Sequence, residues 1–265
     1  MRLIALALLA AGLSGCDAYH YHAGRFHEGR RRSSDALKHY EAFLAHGAAD
    51  VRAAELHVRA GRIYAGLERC LEARRHYETA AREFPKLEPW AGRAKGGIMS
   101  CPDYFPLQAG RSWVYGDSAS GGKAMRLEWQ VRTSSGLGGL VTQSLYAGAK
   151  LYQSSEARYE LADWTLWQRD KGGRFPLLNF PYTAGRSWTA RRDGRSLRYR
   201  IESVDATART AAGVFKGCLK IRETAAGFSG SWKYDYYCPS VGRALTTVAG
   251  SGFENPNTEL LSYVR

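Results

Sequence analysis

The chain has 265 residues, 45% of them hydrophobic and 12% aromatic. That is enough apolar surface for one large or two ordinary packed domains, and it excludes an intrinsically disordered chain. Lys and Arg number 38 against 25 Asp and Glu, a formal charge of +13; in a cytosolic protein this would point to nucleic acid, and in an exported one to anionic headgroups, acidic polysaccharide or acidic protein.

The first residues decide between those settings. Arg2 precedes the apolar run Leu3 to Leu13, which ends in Leu13-Ser14-Gly15-Cys16. The run falls short of the roughly 20 apolar residues that span a bilayer, and its layout is that of a cleaved export signal. The Leu-Ser-Gly-Cys ending resembles the bacterial lipoprotein signal. The resemblance implies that Cys16 is acylated with palmitate-like chains and becomes the first residue of a protein anchored to a bacterial membrane and facing the periplasm. Asp17 resembles an inner-membrane retention signal in enteric bacteria, and the choice between inner and outer membrane stays open. Nucleic acid is excluded as a partner on these grounds. Residues 1–16 are thus read as signal and lipobox.

Residues 18–100 have helical periodicity and no proline before Pro85. In the segment Ala54 to Leu87, Gly61, Tyr64, Ala73, Tyr77, Ala80 and Pro85 stand at spacings that resemble a tetratricopeptide repeat. Gly61 and Ala73 let two antiparallel helices approach, Tyr64 and Tyr77 fill the space between turns, and Pro85 stops the second helix because it lacks a backbone donor. The second-helix pattern recurs upstream as Ala36, Tyr40 and Phe43, with Gly24 before it and Ser33-Ser34-Asp35 available as a cap. Pro89 suits the first turn of a closing helix whose Trp90, Ala91, Ala94 and Ile98 share a face. Aligning Ala36 with Ala73 places Arg25 and Arg62 at one repeat position. In tetratricopeptide arrays that position faces the concave groove, so the resemblance implies that Arg25 and Arg62 bind the carboxylates of an acidic or C-terminal peptide of another envelope protein. All seven histidines lie in this part (His20, His22, His27, His39, His46, His57, His76). They show no His-Glu-x-x-His spacing and most are expected to face water, so no metal site is expected.

Residues 101–265 change to glycine punctuation and period-two alternation. Leu127, Trp129 and Val131 alternate with Arg126, Glu128, Gln130 and Arg132; Leu197, Tyr199 and Ile201 alternate with Arg198, Arg200 and Glu202. This predicts a mainly antiparallel β domain, a curved sheet or open barrel, and an α+β protein as a whole. The segment Phe105-Pro106-Leu107-Gln108-Ala109-Gly110-Arg111-Ser112-Trp113 is echoed by Phe180-Pro181-Tyr182-Thr183-Ala184-Gly185-Arg186-Ser187-Trp188, which implies two similar halves. The opening Phe105-Pro106-Leu107, Gly110, Trp113 and Tyr115, with the closing Tyr236-Tyr237-Cys238-Pro239-Ser240-Val241-Gly242, resembles a β-rich domain that recurs in bacterial envelope lipoproteins. The resemblance implies no activity.

Four cysteines besides Cys16 suit an oxidising compartment and two bridges. The helix starting near Cys70 and the closing helix ending near Cys101 run antiparallel, which pairs those two. A hairpin of Val214 to Thr224 with Ser231 to Cys238, turning about Phe228, places Cys218 opposite Cys238 and interleaves Lys216, Lys220 and Arg222 with Trp232, Tyr234 and Tyr236, either as solvated cross-strand pairs or as a surface for an acidic sugar or headgroup.

Catalytic signatures are missing. Gly116 to Lys123 imitates a phosphate loop, but Ala124 stands where Ser or Thr is required, and a hairpin loop is expected. There is no Gly-x-Ser-x-Gly elbow, and a β domain without histidine cannot form a Ser-His-Asp site. The expected protein is therefore a non-enzymatic, lipid-anchored envelope adaptor without a cofactor. The alternative is a carrier or sensor of a lipid or other amphipathic ligand, in which Trp113, Trp129, Trp164, Trp167 and Trp188 enclose an apolar cavity.

Overall fold

A computed structural model of the chain describes residues 2–46, 50–135, 137–227 and 230–264, with residues 2–15 described by their backbone only. The chain divides into two compact units, the first ending at Cys101 and the second starting at Pro102. Among the described residues the first holds helices α1 (Arg2–Gly29), α2 (Ser33–His46), α3 (Arg52–Gly66), α4 (Cys70–Glu83) and α5 (Trp90–Met99).

Small residues set how closely these helices pack. Gly24 of α1 lies against the ring of Tyr40 on α2, and a Cβ added to Gly61 of α3 would sit 2.7 Å from the ring of Tyr77 on α4. Gly97 of α5 also faces Tyr77. Tyr40, Phe43 and Leu56 are fully buried, each contributing on the order of 1.5–3 kcal/mol of hydrophobic stabilisation. The α1–α2 and α3–α4 hairpins are thus two copies of one packing unit. Helix α4 ends at Glu83, before Pro85, and α5 follows directly on Pro89. The Cys70–Cys101 disulfide ties the start of α4 to the residue that ends the unit.

The second unit is one antiparallel sheet of twelve strands: β1 (Ser112–Asp117), β2 (Met125–Ser134), β3 (Gly138–Ala147), β4 (Lys150–Ala162), β5 (Thr165–Asp170), β6 (Gly173–Asn179), β7 (Ser187–Arg192), β8 (Arg195–Thr210), β9 (Gly213–Ala225), β10 (Ser231–Cys238), β11 (Gly242–Gly250) and β12 (Phe253–Val264). Their order is β6-β5-β4-β3-β2-β1-β12-β11-β10-β9-β8-β7. Every strand therefore pairs with its neighbour in sequence, the first pairs with the last, and the ring stays unzipped between β6 and β7. This is a nearly closed up-and-down barrel. Side chains bridge the seam: Trp188 Nε1 on β7 donates to the carbonyl of Pro176 on β6 at 3.1 Å, and Arg192 lies 4.5 Å from the centre of the Phe175 ring.

The internal repeat marks the start of each six-stranded half. Gly110 and Gly185 both take positive φ, +89° and +87°, a conformation that glycine adopts without strain. Their amides donate to Val131 O at 3.0 Å and Ile201 O at 2.8 Å. Arg111 and Arg186 each accept a bond from the residue just named, at 2.9 Å in both copies. Trp113 and Trp188 are the second residues of β1 and β7.

Alternation then sorts the faces. Trp129, Val131, Leu197, Tyr199 and Ile201 are buried inside, while Arg132, Arg198 and Arg200 are exposed outside. A lipid-facing barrel wall would be destabilised by such charges, so the outside of this barrel is a water-facing surface. The loop from Ser118 to Ala124 is a β1–β2 turn organised by Asp117, whose carboxylate accepts from the Ser120 amide (2.8 Å), the Ser120 hydroxyl (2.6 Å) and the Met125 amide (3.0 Å).

Candidate functional site

The barrel interior holds a cavity of about 70 Å³ walled by β2, β3 and β5 to β11, with Glu223, Lys233, Asp235 and Arg243 around it. Period-two alternation delivers these charges inward. On β10, Lys233, Asp235 and Tyr237 point in, and on β9 Ile221 and Glu223 do so from the paired strand. Lys233 Nζ lies 3.0 Å from Asp235 and 3.1 Å from Glu223, and Thr246 donates its hydroxyl to Asp235 at 2.6 Å. The Arg243 guanidinium stands over the rings of Trp129 (4.6 Å) and Tyr115 (5.1 Å).

Burial alone would raise the Asp235 carboxyl, but the cations of Lys233 and Arg243 outweigh it and hold the group below its ordinary range. Burial would likewise lower the Lys233 amine, and Asp235 and Glu223 raise it instead. Burial pushes the phenols of Tyr115, Tyr159 and Tyr199 far up. At neutral pH Asp235 and Lys233 are held as an ion pair and these tyrosines are neutral. An ion network of this kind satisfies charges that would be costly to bury singly.

The tryptophans do not wall an apolar cavity. Trp129 lines the interior space, whereas Trp113 and Trp188 spend their indole N–H groups on the carbonyls of Val241 and Pro176. Trp164 lies in the β4–β5 turn, stacked on Phe180 with centroids 5.2 Å apart, and Trp167 points outward beneath Arg174, 4.1 Å away. Alternation and turn geometry disperse residues that composition alone would gather.

In the helical unit, Arg25 and Arg62 meet carboxylates of the same chain. Arg25 lies 3.7 Å from Glu55 and donates to the Tyr21 hydroxyl at 3.1 Å, and Arg62 pairs with Glu28. Between them Arg59 bridges Glu28 (2.7 Å) and Glu55 (2.6 Å). The Arg62 side chain is still 68% exposed and that of Arg25 47%, so both heads also face water. Tyr40 donates to Glu28 at 2.5 Å. Burial would raise the Glu28 carboxyl, and the bonds from Tyr40, Arg59 and Arg62 lower it on balance.

The expectation that most histidines face water needs correction. His20 and His39 approach through their Nδ1 atoms at 3.0 Å, and His57 and His76 do the same at 3.0 Å. His27 stacks on His39 and, at the equivalent place, Tyr64 on His76, with centroids 5.4 and 5.5 Å apart. Only His22 and His46 are exposed; the other five are partly buried. The paired positions lie where two helices of one hairpin meet, a face that a single-helix pattern labels polar. Among the described residues no group of three or more His, Cys, Asp or Glu is arranged to hold a metal.

On the outer face of β9 and β10, Lys220 lies 4.1 Å from the Tyr234 ring centre and Arg222 3.9 Å from that of Trp232. Cation and aromatic side chains interleave. Lys220 is also 2.6 Å from Glu254, which accepts from Tyr236 and Thr247 as well, so the Lys220 end of the ladder is internally paired. Cys218 is bonded to Cys238 across the same two strands; the turn centre, Phe228 and Ser229, lies outside the described residues. Cys16 is an exposed free thiol on α1.

No protein-family model matches the chain, and no curated protein matches it in sequence. Among solved structures it is similar to a protein inferred to be exported, with a YmcC-like fold, from Bacteroides fragilis: 14% identity, TM-score 0.42, covering 61% of this chain and 98% of that one. A protein inferred to be a lipoprotein from Parabacteroides distasonis matches at 15% identity and TM-score 0.39, with the same coverage of each chain. Neither similarity is close enough to assign a fold family or a function.

Proposed function

We propose that this protein is a lipid-anchored, non-enzymatic adaptor of the bacterial envelope, held to a membrane through Cys16, with its tetratricopeptide-like helical hairpins engaging an envelope protein. The observation that carries the reading is the filled barrel. Its interior is occupied by aromatic side chains and a closed ion network around about 70 Å³, against the roughly 300–1,000 Å³ of pockets that enclose small ligands. This favours a protein that works through its outer surfaces over a lipid carrier. Two disulfides agree with an oxidising compartment.

In the helical unit the repeat-related Arg25 and Arg62 flank Arg59, and the three arginines share two glutamates, Glu28 and Glu55. One positive charge is left over, and both outer guanidiniums keep exposed donors. That favours an acidic segment as the partner. Glu28 and Glu55 hold the arginine heads in place, so an incoming carboxylate would add to an ordered cluster.

The anchor is tested by Cys16→Ala, which should move the protein from the membrane fraction to the soluble envelope fraction. Equal fractionation of variant and wild type would remove the lipoprotein reading. The adaptor is tested with a photo-crosslinking residue at position 66, exposed one turn beyond Arg62, and, as control, at position 46. A discrete protein adduct from position 66, lost on Arg25→Ala, Arg62→Ala, is expected. Stoichiometric non-covalent lipid in the native mass spectrum of the extracted protein would favour the carrier instead.

A further inference from the structure

The strand register places arginines side by side on the outside of the barrel. Arg158 on β4 is directly opposite Arg169 on β5, and Arg169 is directly opposite Arg174 on β6. Beyond the seam, Arg200 on β8 is directly opposite Arg222 on β9, with Arg191 on β7 and Arg198 on β8 alongside. All point outward, because their neighbours Tyr159, Gln168, Phe175, Ala190, Tyr199 and Ile221 are buried inside.

Like charges directly opposite on neighbouring strands are destabilising. Some basic groups elsewhere in this barrel do have acids beside them: Lys233 has Glu223 and Asp235, Lys220 has Glu254, and Arg126 has Glu128. In the row, among the described residues, Arg158, Arg169, Arg174, Arg191, Arg198 and Arg222 have no carboxylate within ion-pair distance, and Arg200 has Glu202 at 4.0 Å. Two exposed acids of β4, Glu156 and Glu160, stand two residues to either side of Arg158, outside ion-pair distance of the row. An unneutralised row carried across six strands is a cost to the fold that an external anion would offset.

The shape and flanks of the row identify the anion. Adjacent strands are roughly 4.8 Å apart, so the row is a line of guanidiniums bent around a convex wall, suited to a flexible linear polyanion rather than a flat membrane. Two of its guanidiniums lie over indoles, Arg174 over Trp167 within the row and Arg222 over Trp232 at its β9 end, 4.1 and 3.9 Å away. A half-exposed indole offers an apolar platform to a sugar ring. Guanidinium beside indole is a combination that takes an acidic glycan, the acid bound bidentately and the ring stacked. Near the middle, Thr189, Ala190, Arg191, Gly194 and Ser196 line an open groove of about 410 Å³.

We infer that this arginine row is a binding surface for a linear acidic polysaccharide, a site separate from the partner surface of the helical unit. The test uses the full chain in detergent, with polygalacturonate as the carboxylated glycan, neutral dextran as the uncharged one, and polyglutamate and phosphatidylglycerol vesicles as other polyanions. Wild type should bind polygalacturonate in a salt-sensitive manner and leave dextran unbound. Arg158→Gln, Arg169→Gln, Arg174→Gln should weaken binding by tenfold or more, and Arg200→Gln, Arg222→Gln by a similar factor. An equal loss of net charge in the helical unit, Arg75→Gln, Arg82→Gln, Arg93→Gln, should change it less than twofold. The row variants should melt no lower than wild type, since they relieve like-charge contacts. If a row variant misfolds, Arg191→Gln, Arg198→Gln is the substitute and should weaken binding at least threefold. Equal weakening by the helical-unit variant, or binding to vesicles or polyglutamate in preference to polygalacturonate, overturns the proposal.

Discussion

The indole N–H of Trp113 donates to the carbonyl oxygen of Val241 at 2.5 Å, joining the second residue of β1 to the turn that precedes β11. Arg111 reinforces the corner by donating to Ser240 O at 2.9 Å, and the Ser240 amide donates to Asp103 O at 2.7 Å. The residues that open the β unit are thereby bonded to those near its end. Gly242 completes the corner: its φ is +95°, and a Cβ there would lie 3.5 Å from the indole.

Trp113→Phe keeps the ring and removes the donor, which leaves the Val241 carbonyl buried without its partner. Such a loss costs about 1–3 kcal/mol, so the urea midpoint of the β unit, followed by circular dichroism, should fall. Trp188→Phe should cost less, because its bond spans the half-exposed seam. Equal effects from the two variants would contradict the difference in burial.

Asp235→Asn should destabilise the barrel by about 3 kcal/mol, since it leaves Arg243 in the interior without its facing carboxylate and Lys233 with Glu223 alone. The pH dependence has a defined sign. The folded carboxyl is held below its ordinary value, so the stability it contributes is present in full above about pH 3.9 and is lost as pH falls below that. In the Asn variant this acid limb should flatten. Denaturation series at pH 7 and pH 3 measure both effects, and an unchanged limb would show that Asp235 is not the group responsible.

The His57–His76 pair works in a different window. Burial, and then the charge of His76, depresses His57 to about 4, and burial depresses His76. An unfolded histidine titrates near 6.5. The His57–His76 pair therefore contributes fully above about pH 6.5, and the contribution is lost as pH falls toward 4, by roughly 1–3 kcal/mol for His57. His57→Gln, His76→Gln should flatten the thermal-stability profile of the helical unit between pH 6.5 and 4. A profile as steep as that of wild type rules the pair out as its cause.

Gly61→Ala should destabilise the α3–α4 hairpin by about 1–3 kcal/mol, because the new methyl meets the buried Tyr77 ring on a facing helix. Gly29→Ala, with nothing within 4 Å, should shift the melting temperature little. Scanning calorimetry compares them, and equal shifts would mean that Gly61 is chosen for something other than helix approach.

Some of this architecture is legible from short stretches of chain. Hydrophobic spacing around Gly61 and Tyr77 specifies a close helix pair because both residues act through the turns next to them. Alternation in Leu127-Trp129-Val131 assigns a buried face without knowledge of the partner strand. The identity of Ala109-Gly110-Arg111-Ser112-Trp113 with Ala184-Gly185-Arg186-Ser187-Trp188 reveals a duplication before any strand is placed. The site residues were less accessible: the inward turn of Lys233 and Asp235 follows from alternation, but nothing near them in sequence announces Arg243 or Glu223 as company.

What the sequence by itself determined, then, is what depends on neighbours a few residues away: the apolar run from Leu3 to Leu13, the helix-to-strand change at Cys101, and the turn register that sets Cys218 opposite Cys238. What only the tertiary structure decided depends on which distant elements become adjacent. Pairing of β1 with β12 bends the sheet into a barrel, and that closure brings Trp113 to Val241 and Arg243 over Trp129. Packing of α1 against α3 gives Arg25 and Arg62 the carboxylates of Glu55 and Glu28, and docking within each hairpin joins His20 to His39 and His57 to His76. The physical reason is that a charge or a ring nitrogen takes its state from whatever lies within a few ångströms, and residues far apart along the chain share that space only once the fold has closed.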